Sequence, residues 1–164
     1  MWKQLDVEQW TSRRRGTLSE VRRSVEDIIA KVSKEGDAAL YELTQKFDKV
    51  QLDHLRVTRE EIEDAYAKVD DSLIDALKKA KANIEAFHRM QRPADMWTRE
   101  VAPGLTLGVK NTPLDRIGAY IPGGRAAYPS TVLMCAIPAR VAGVVDVVMC
   151  TPPPINPLTL VAAD

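Results

Sequence analysis

The chain has 164 residues, 45% of them apolar and 28% charged, and its 23 basic side chains are balanced by 23 acidic ones. That composition excludes disordered, collagen-like and membrane classes, and the interleaving of opposite charges leaves no basic stripe for nucleic-acid phosphates. Met1-Trp-Lys-Gln-Leu-Asp6 lacks the apolar segment of an export signal, and no apolar run approaches the ~20 residues of a membrane span, so a cytoplasmic protein with neither a membrane nor a nucleic-acid partner is expected.

Residues 1–16, with Trp2 and Trp10, read as an N-terminal arm that pins against another surface, and Arg13-Arg14-Arg15 reads as solvated charge. Thr17-Leu-Ser-Glu20 has the capping-box form, and Val21, Val25, Ile28, Ile29 and Val32 follow at helical spacing up to a stop at Gly36. Asp37 is positioned to cap a second helix bearing Leu40, Leu43 and Phe47. Thr58-Arg-Glu-Glu61 repeats the capping box before Ile62, Tyr66 and Val69. Leu73, Leu77, Ala80, Ile84 and Phe87 make a long amphipathic helix that Pro93 ends, and all these stripes are expected to be core packing.

The character of the chain then changes. Residues 1–100 hold 39 charged residues and one proline, whereas residues 101–164 hold seven charged residues and nine prolines. Leu105, Leu107 and Val109 alternate, as do Ile117, Ala119 and Ile121, which predicts two strands. A small-residue helix follows from about Ser130 to Ala142, with Ser130 as its N-cap rather than a nucleophile, Pro138 as a kink and Gly143 as its end. Val144 to Met149 is a nearly continuous apolar run, expected to be a strand covered on both faces. After Pro152-Pro-Pro154, Leu158 to Asp164 opens a further helix, and so short a parallel sheet points to the N-terminal part of a longer polypeptide.

Strand, helix, strand is a βαβ unit, and ligands of such sheets gather beyond the carboxyl ends of the strands. Tyr120-Ile-Pro-Gly-Gly124 lies there. Gly123 and Gly124 allow close backbone approach, the following helix start favours negative charge, and Tyr120 can stack on or hydrogen-bond to a ligand. Without GxGxxG or GxxxxGK[ST] spacing, this pattern fits either a nucleotide site or an ordinary turn. Arg125 is a candidate phosphate contact, although an ordinary surface arginine fits as well. His54 and His88 have no metal-type partner at ligand spacing, and Cys135 and Cys150 form neither a disulfide framework nor a zinc motif.

Asp115-Arg-Ile-Gly-Ala-Tyr-Ile-Pro-Gly-Gly-Arg-Ala-Ala-Tyr-Pro-Ser-Thr-Val-Leu-Met134, with Ile137-Pro-Ala-Arg-Val-Ala-Gly143 and Cys150-Thr-Pro-Pro-Pro154, resembles the N-terminal region of histidinol dehydrogenases. Gly36-Asp-Ala-Ala-Leu40, Lys46-Phe-Asp48 and Asn83-Ile-Glu-Ala-Phe-His88 agree in order and spacing, and Ala119 departs mildly where a larger aliphatic is usual. The resemblance implies an α/β fold in which an N-terminal helical segment precedes the start of an incomplete Rossmann-like, aldehyde-dehydrogenase-like βαβ domain. Residues 17–103 would open the first Rossmann-like domain, 104–112 would be a linking strand, and 113–164 would begin a second, NAD-side domain. It also implies a zinc-dependent, NAD-linked homodimer that oxidises L-histidinol through the aldehyde to L-histidine. Tyr120 matches a cofactor-binding position, with Pro122, Gly123 and Gly124 as adjacent candidates. The zinc ligands, the acid/base pair and most substrate contacts would lie beyond Asp164, so the chain alone is expected to be inactive. The competing readings are a non-redox nucleotide or phosphate module and a structural dimerisation fragment.

Overall fold

The computed structural model describes the backbone from Val7 onward and the side chains from Leu18 onward, Arg125 excepted. It divides into two compact units that meet in sequence between Leu55 and Arg56.

The first unit is helical. α1 runs Val7–Glu35 and α2 runs Asp37–Phe47, with Gly36 between them at φ 61°. The helix therefore begins well before Thr17, and the capping box expected there lies inside it. Capping residues are only permissive, and no proline between Val7 and Gly16 prevents the helix from continuing backward. Gly36 rather than Asp37 is the N-cap of α2, and Asp37 sits in the first turn, where a negative charge suits the helix dipole. Ala39 is fully buried, and Lys31 on α1 pairs with Glu42 on α2.

The second unit begins with α3, Arg59–Lys68, whose capping box forms as the sequence predicts. Thr58 Oγ1 accepts from the Glu61 amide at 3.2 Å and Glu61 Oε2 accepts from the Thr58 amide at 2.7 Å. α4, Asp71–Gln91, is capped by the Asp70 carboxylate accepting from the Ser72 amide at 2.8 Å. Hydrogen bonds from the Ser72 side chain first and its amide second hold Asp70 below the usual carboxylate range. The helical stripes were expected to be core, but none of the α4 residues is buried, and Leu73 and Phe87 are about half exposed. α4 packs chiefly on α5, Pro129–Ala142, which covers only part of an amphipathic stripe.

Two separate two-stranded sheets follow. β1, Met96–Ala102, pairs antiparallel with β2, Leu105–Lys110, in a hairpin turning at Pro103-Gly104. β3, Arg116–Tyr120, pairs in parallel with β4, Asp146–Cys150, through α5. The expected strand–helix–strand unit is thus present, and the fold is mixed helix and small sheets with no closed barrel. The last element, α6, Pro157–Ala163, is capped by Asn156 Oδ1 accepting from the Leu158 amide at 2.9 Å.

Ala119, Ile121 and Val132 form the core beneath one face of the parallel pair, with Cys135, Met149 and Ala162 packed against them. The other face is open. Val148 is 52% exposed and Val145 77%, so the double coverage expected from the Val144–Met149 run is not found here. That expectation needs helices on both faces, and the core gathers on one.

Candidate functional site at the strand ends

β3 and β4 end together, with Tyr120 beside Cys150 in register, and the Ile121 amide continues the ladder by donating to the Cys150 carbonyl at 2.8 Å. Side chains alternate across a strand. Ile121, 1% exposed, anchors the chain in the core, and Tyr120, 66% exposed, is left at the open edge. Full burial of a residue such as Ile121 stabilises by about 1.5–3 kcal/mol, which fixes where the following loop begins.

Pro122, Gly123 and Gly124 then turn away from the sheet, and α5 starts at Pro129 with Tyr128 as N-cap. A Cβ on Gly123 would come within 3.0 Å of Pro152 Cγ and 3.2 Å of the Pro152 carbonyl oxygen, so any larger residue there would have to displace the segment after β4 slightly. Gly124 has φ +89°, a left-handed conformation that other residues adopt at a cost, and open space surrounds it. The four residues singled out by sequence are therefore contiguous at the carboxyl ends of two parallel strands, the place where ligands of such sheets bind. Tyr120 and Gly124 are exposed there, and Gly123 is half-buried against Pro152.

Ser130 is not the N-cap. Pro129, whose fixed φ suits a first helical position, starts the helix one residue earlier and leaves Ser130 exposed in its first turn. Pro138 does lie within α5, and Gly143 ends it in a left-handed conformation. Arg125, Trp2 and the side chains of Trp10 and Arg13 to Arg15 lie outside the described residues. Cys135 and Cys150 are free thiols. Among the described residues no group of three or more His, Cys, Asp or Glu could hold a metal ion, and no helix is long and apolar enough to cross a membrane.

A cavity of about 630 Å³ lies away from the strand ends, bordered by Lys81, Arg89, Arg92 and Arg140. Most of its cations are already engaged. Arg89 bonds Glu85, Arg92 bonds Asp95 at 2.7 Å, and Arg140 reaches the Val145 carbonyl beyond the end of α5. Sequence reasoning missed a second hollow, of about 230 Å³, which Ile121, Met149 and Thr159 help to line at the strand ends. Its walls come from α3, α5, α6, the end of β4 and the residue after β3, and no local motif records such a meeting.

The family model described as histidinol dehydrogenase matches residues 11–164. A histidinol dehydrogenase of Methanosarcina barkeri is 51% identical over 150 residues, covering 89% of this chain and 35% of the relative. That of Methanothermobacter thermautotrophicus is 48% identical over 162 residues, covering 96% and 38%. The crystal structure of histidinol dehydrogenase from Elizabethkingia anophelis superposes with a TM-score of 0.83 at 40% identity, covering 87% of this chain and 34% of that one. The chain thus spans about a third of the length of these relatives, corresponding to their N-terminal part. A match over almost the whole chain, including the strand, loop and helix built around Tyr120, makes this chain a member of the histidinol dehydrogenase family.

Proposed function

We propose that this chain forms one cofactor-side wall of an NAD-dependent oxidation of L-histidinol, through the aldehyde, to L-histidine. The observation that carries the reading is the union of family membership with a strand-end loop in which exposed Gly124 follows exposed Tyr120. Bound NAD supplies the hydride acceptor. Gly124, with open space where a side chain would stand, leaves room for a pyrophosphate against the backbone, Gly123 lets the loop lie against Pro152, Pro122 stiffens the turn, and Tyr120 offers its ring face and hydroxyl to the rest of the cofactor. In this reading residues 17–103 open one Rossmann-like domain, 104–112 link, and residues 113–164 begin the second.

No step of the proposal passes through zinc on this chain. The resemblance assigns the zinc ligands and the acid/base pair to the part of the longer relatives beyond Asp164, along with a cytoplasmic homodimer. The purified chain by itself is therefore expected to show no NAD-linked histidinol oxidation, and turnover by it would overturn that part of the proposal.

The test of the cofactor wall is NAD titration followed by intrinsic fluorescence, with Tyr120→Ala as the variant. Loss of one aromatic stacking contact is worth about 1–3 kcal/mol, so the dissociation constant should rise about tenfold with an unchanged far-UV spectrum. Equal affinity for NAD and inorganic phosphate would favour a non-redox phosphate module. Unchanged NAD affinity with altered assembly would favour a structural role.

A further inference from the structure

We infer that the cavity of about 630 Å³ bordered by α4, α5 and α6 is a binding site for a small bisphosphorylated molecule, separate from the loop at the strand ends. Four cations border it: Lys81 and Arg89 of α4, its C-cap Arg92, and Arg140 of α5. Two carboxylates share the border, and both are held. Glu85 accepts from Arg89 Nε at 3.1 Å, and Asp164 accepts from Arg59 Nη1 at 2.9 Å and from the Tyr66 hydroxyl at 3.1 Å. The cations keep more to give. A guanidinium has five N–H donors, so the three arginines retain free donors after the bonds described above, and Lys81 makes no hydrogen bond or ion pair among the described residues. Attraction to a helix C-terminus accounts for Arg89 and Arg140, which stand in last turns. It does not account for Lys81, in the middle of α4, whose charge has no partner.

Size and charge choose the occupant. Small-molecule sites run to about 300–1,000 Å³, so the cavity admits a whole metabolite. Lys81 and Arg89 lie about 12 Å apart along α4, at about 1.5 Å per residue, a spacing that suits two anionic groups better than one. Arginine forks match phosphate oxygens in pairs, and lysine adds a compact charge. Between the charged ends the floor is aliphatic, from Leu133 and Ile137 of α5, both buried, and takes a carbon skeleton. The border holds no histidine, cysteine or serine, and its carboxylates are engaged, so the site binds and does no chemistry. Its ligand is an effector rather than a substrate.

The experiment is calorimetric titration of the whole chain with fructose bisphosphate, inorganic phosphate and uncharged fructose at low salt. Fructose bisphosphate should bind at least tenfold more tightly than inorganic phosphate, and fructose should not bind. Lys81→Gln and Arg140→Gln should each weaken the bisphosphate about tenfold with unchanged far-UV spectra, because each removes one charged contact. Lys110→Gln, which removes the same charge from β2, and Tyr120→Ala, at the strand-end loop, should leave that affinity as it is. Bisphosphate binding no tighter than that of inorganic phosphate overturns the site. So does an affinity that Lys81→Gln leaves unchanged, or that Lys110→Gln lowers as much, since attraction to the chain's general charge then explains it. None of these outcomes bears on the NAD reading, which the Tyr120→Ala titration with NAD decides.

Discussion

Arg116 and Asp146 meet where the two parallel strands begin, with the Arg116 side chain 73% and the Asp146 side chain 43% exposed. Exposed ion pairs contribute about 0–1 kcal/mol, because water screens the attraction and two side chains lose freedom to make it. The Asn156 side chain accepts from the Leu158 amide, which satisfies an otherwise unpaired helix donor, and such caps are worth about 0.5–2 kcal/mol. The helix it starts carries buried Thr159 and Val161 into the unit. Asn156→Ala is therefore expected to lower the denaturation midpoint more than Arg116→Ala, whose effect should stay within about 1 kcal/mol. Urea titrations of the two variants check the order, and a larger loss for Arg116→Ala would contradict it.

At the level of elements, the β1–β2 hairpin shows why part of the fold was hidden in the sequence. Every residue of both strands is exposed, and Met96–Ala102 lacks the apolar alternation by which strands are recognised. Met96–Ala102 forms a strand because its backbone pairs with Leu105–Lys110, where alternating leucines did mark a partner. Helices with a cap or a stop in the chain were legible: Thr58 and Gly143 act at the places their chemistry suits, whereas the start of α1 was obscured by a capping pattern inside it. Gly108 makes the hairpin testable. A Cβ there would collide with the Trp97 carbonyl oxygen and come within 2.8 Å of Thr98 Cγ2, so Gly108→Ala must push the two strands apart. Amide exchange across residues 96–110 should accelerate while the β3–β4 amides keep their protection. Equal acceleration in both sheets would show that the hairpin is not an independent element.

For the molecule as a whole, the binding loop was legible because glycine chemistry and strand ends are local, whereas the adjoining hollow requires elements far apart in sequence and was not. The same contrast of local and distant partners governs the response to pH. In the first unit the hydrogen bond from Lys31 and its charge hold Glu42 below the usual carboxylate value, and in the second the Ser72 hydrogen bonds do so for Asp70. A depressed folded value means stability that is present above the unfolded value, about 4, and is lost as pH falls through the folded one. At the other end, Lys31 is raised by its bond to Glu42, and Tyr66 is raised first by desolvation and then by its bond to Asp164. Both therefore contribute stability that is complete below their unfolded values, near pH 10, and is lost as pH rises through the folded ones. Urea midpoints should form a plateau between about pH 5 and 9 and fall on both sides, gently, because these groups face solvent. Asp70→Asn and Glu42→Gln should flatten the acid limb, and so should molar salt for the Lys31–Glu42 share. Stability that rises on acidification below about pH 4 would reverse the sign assigned to both carboxylates.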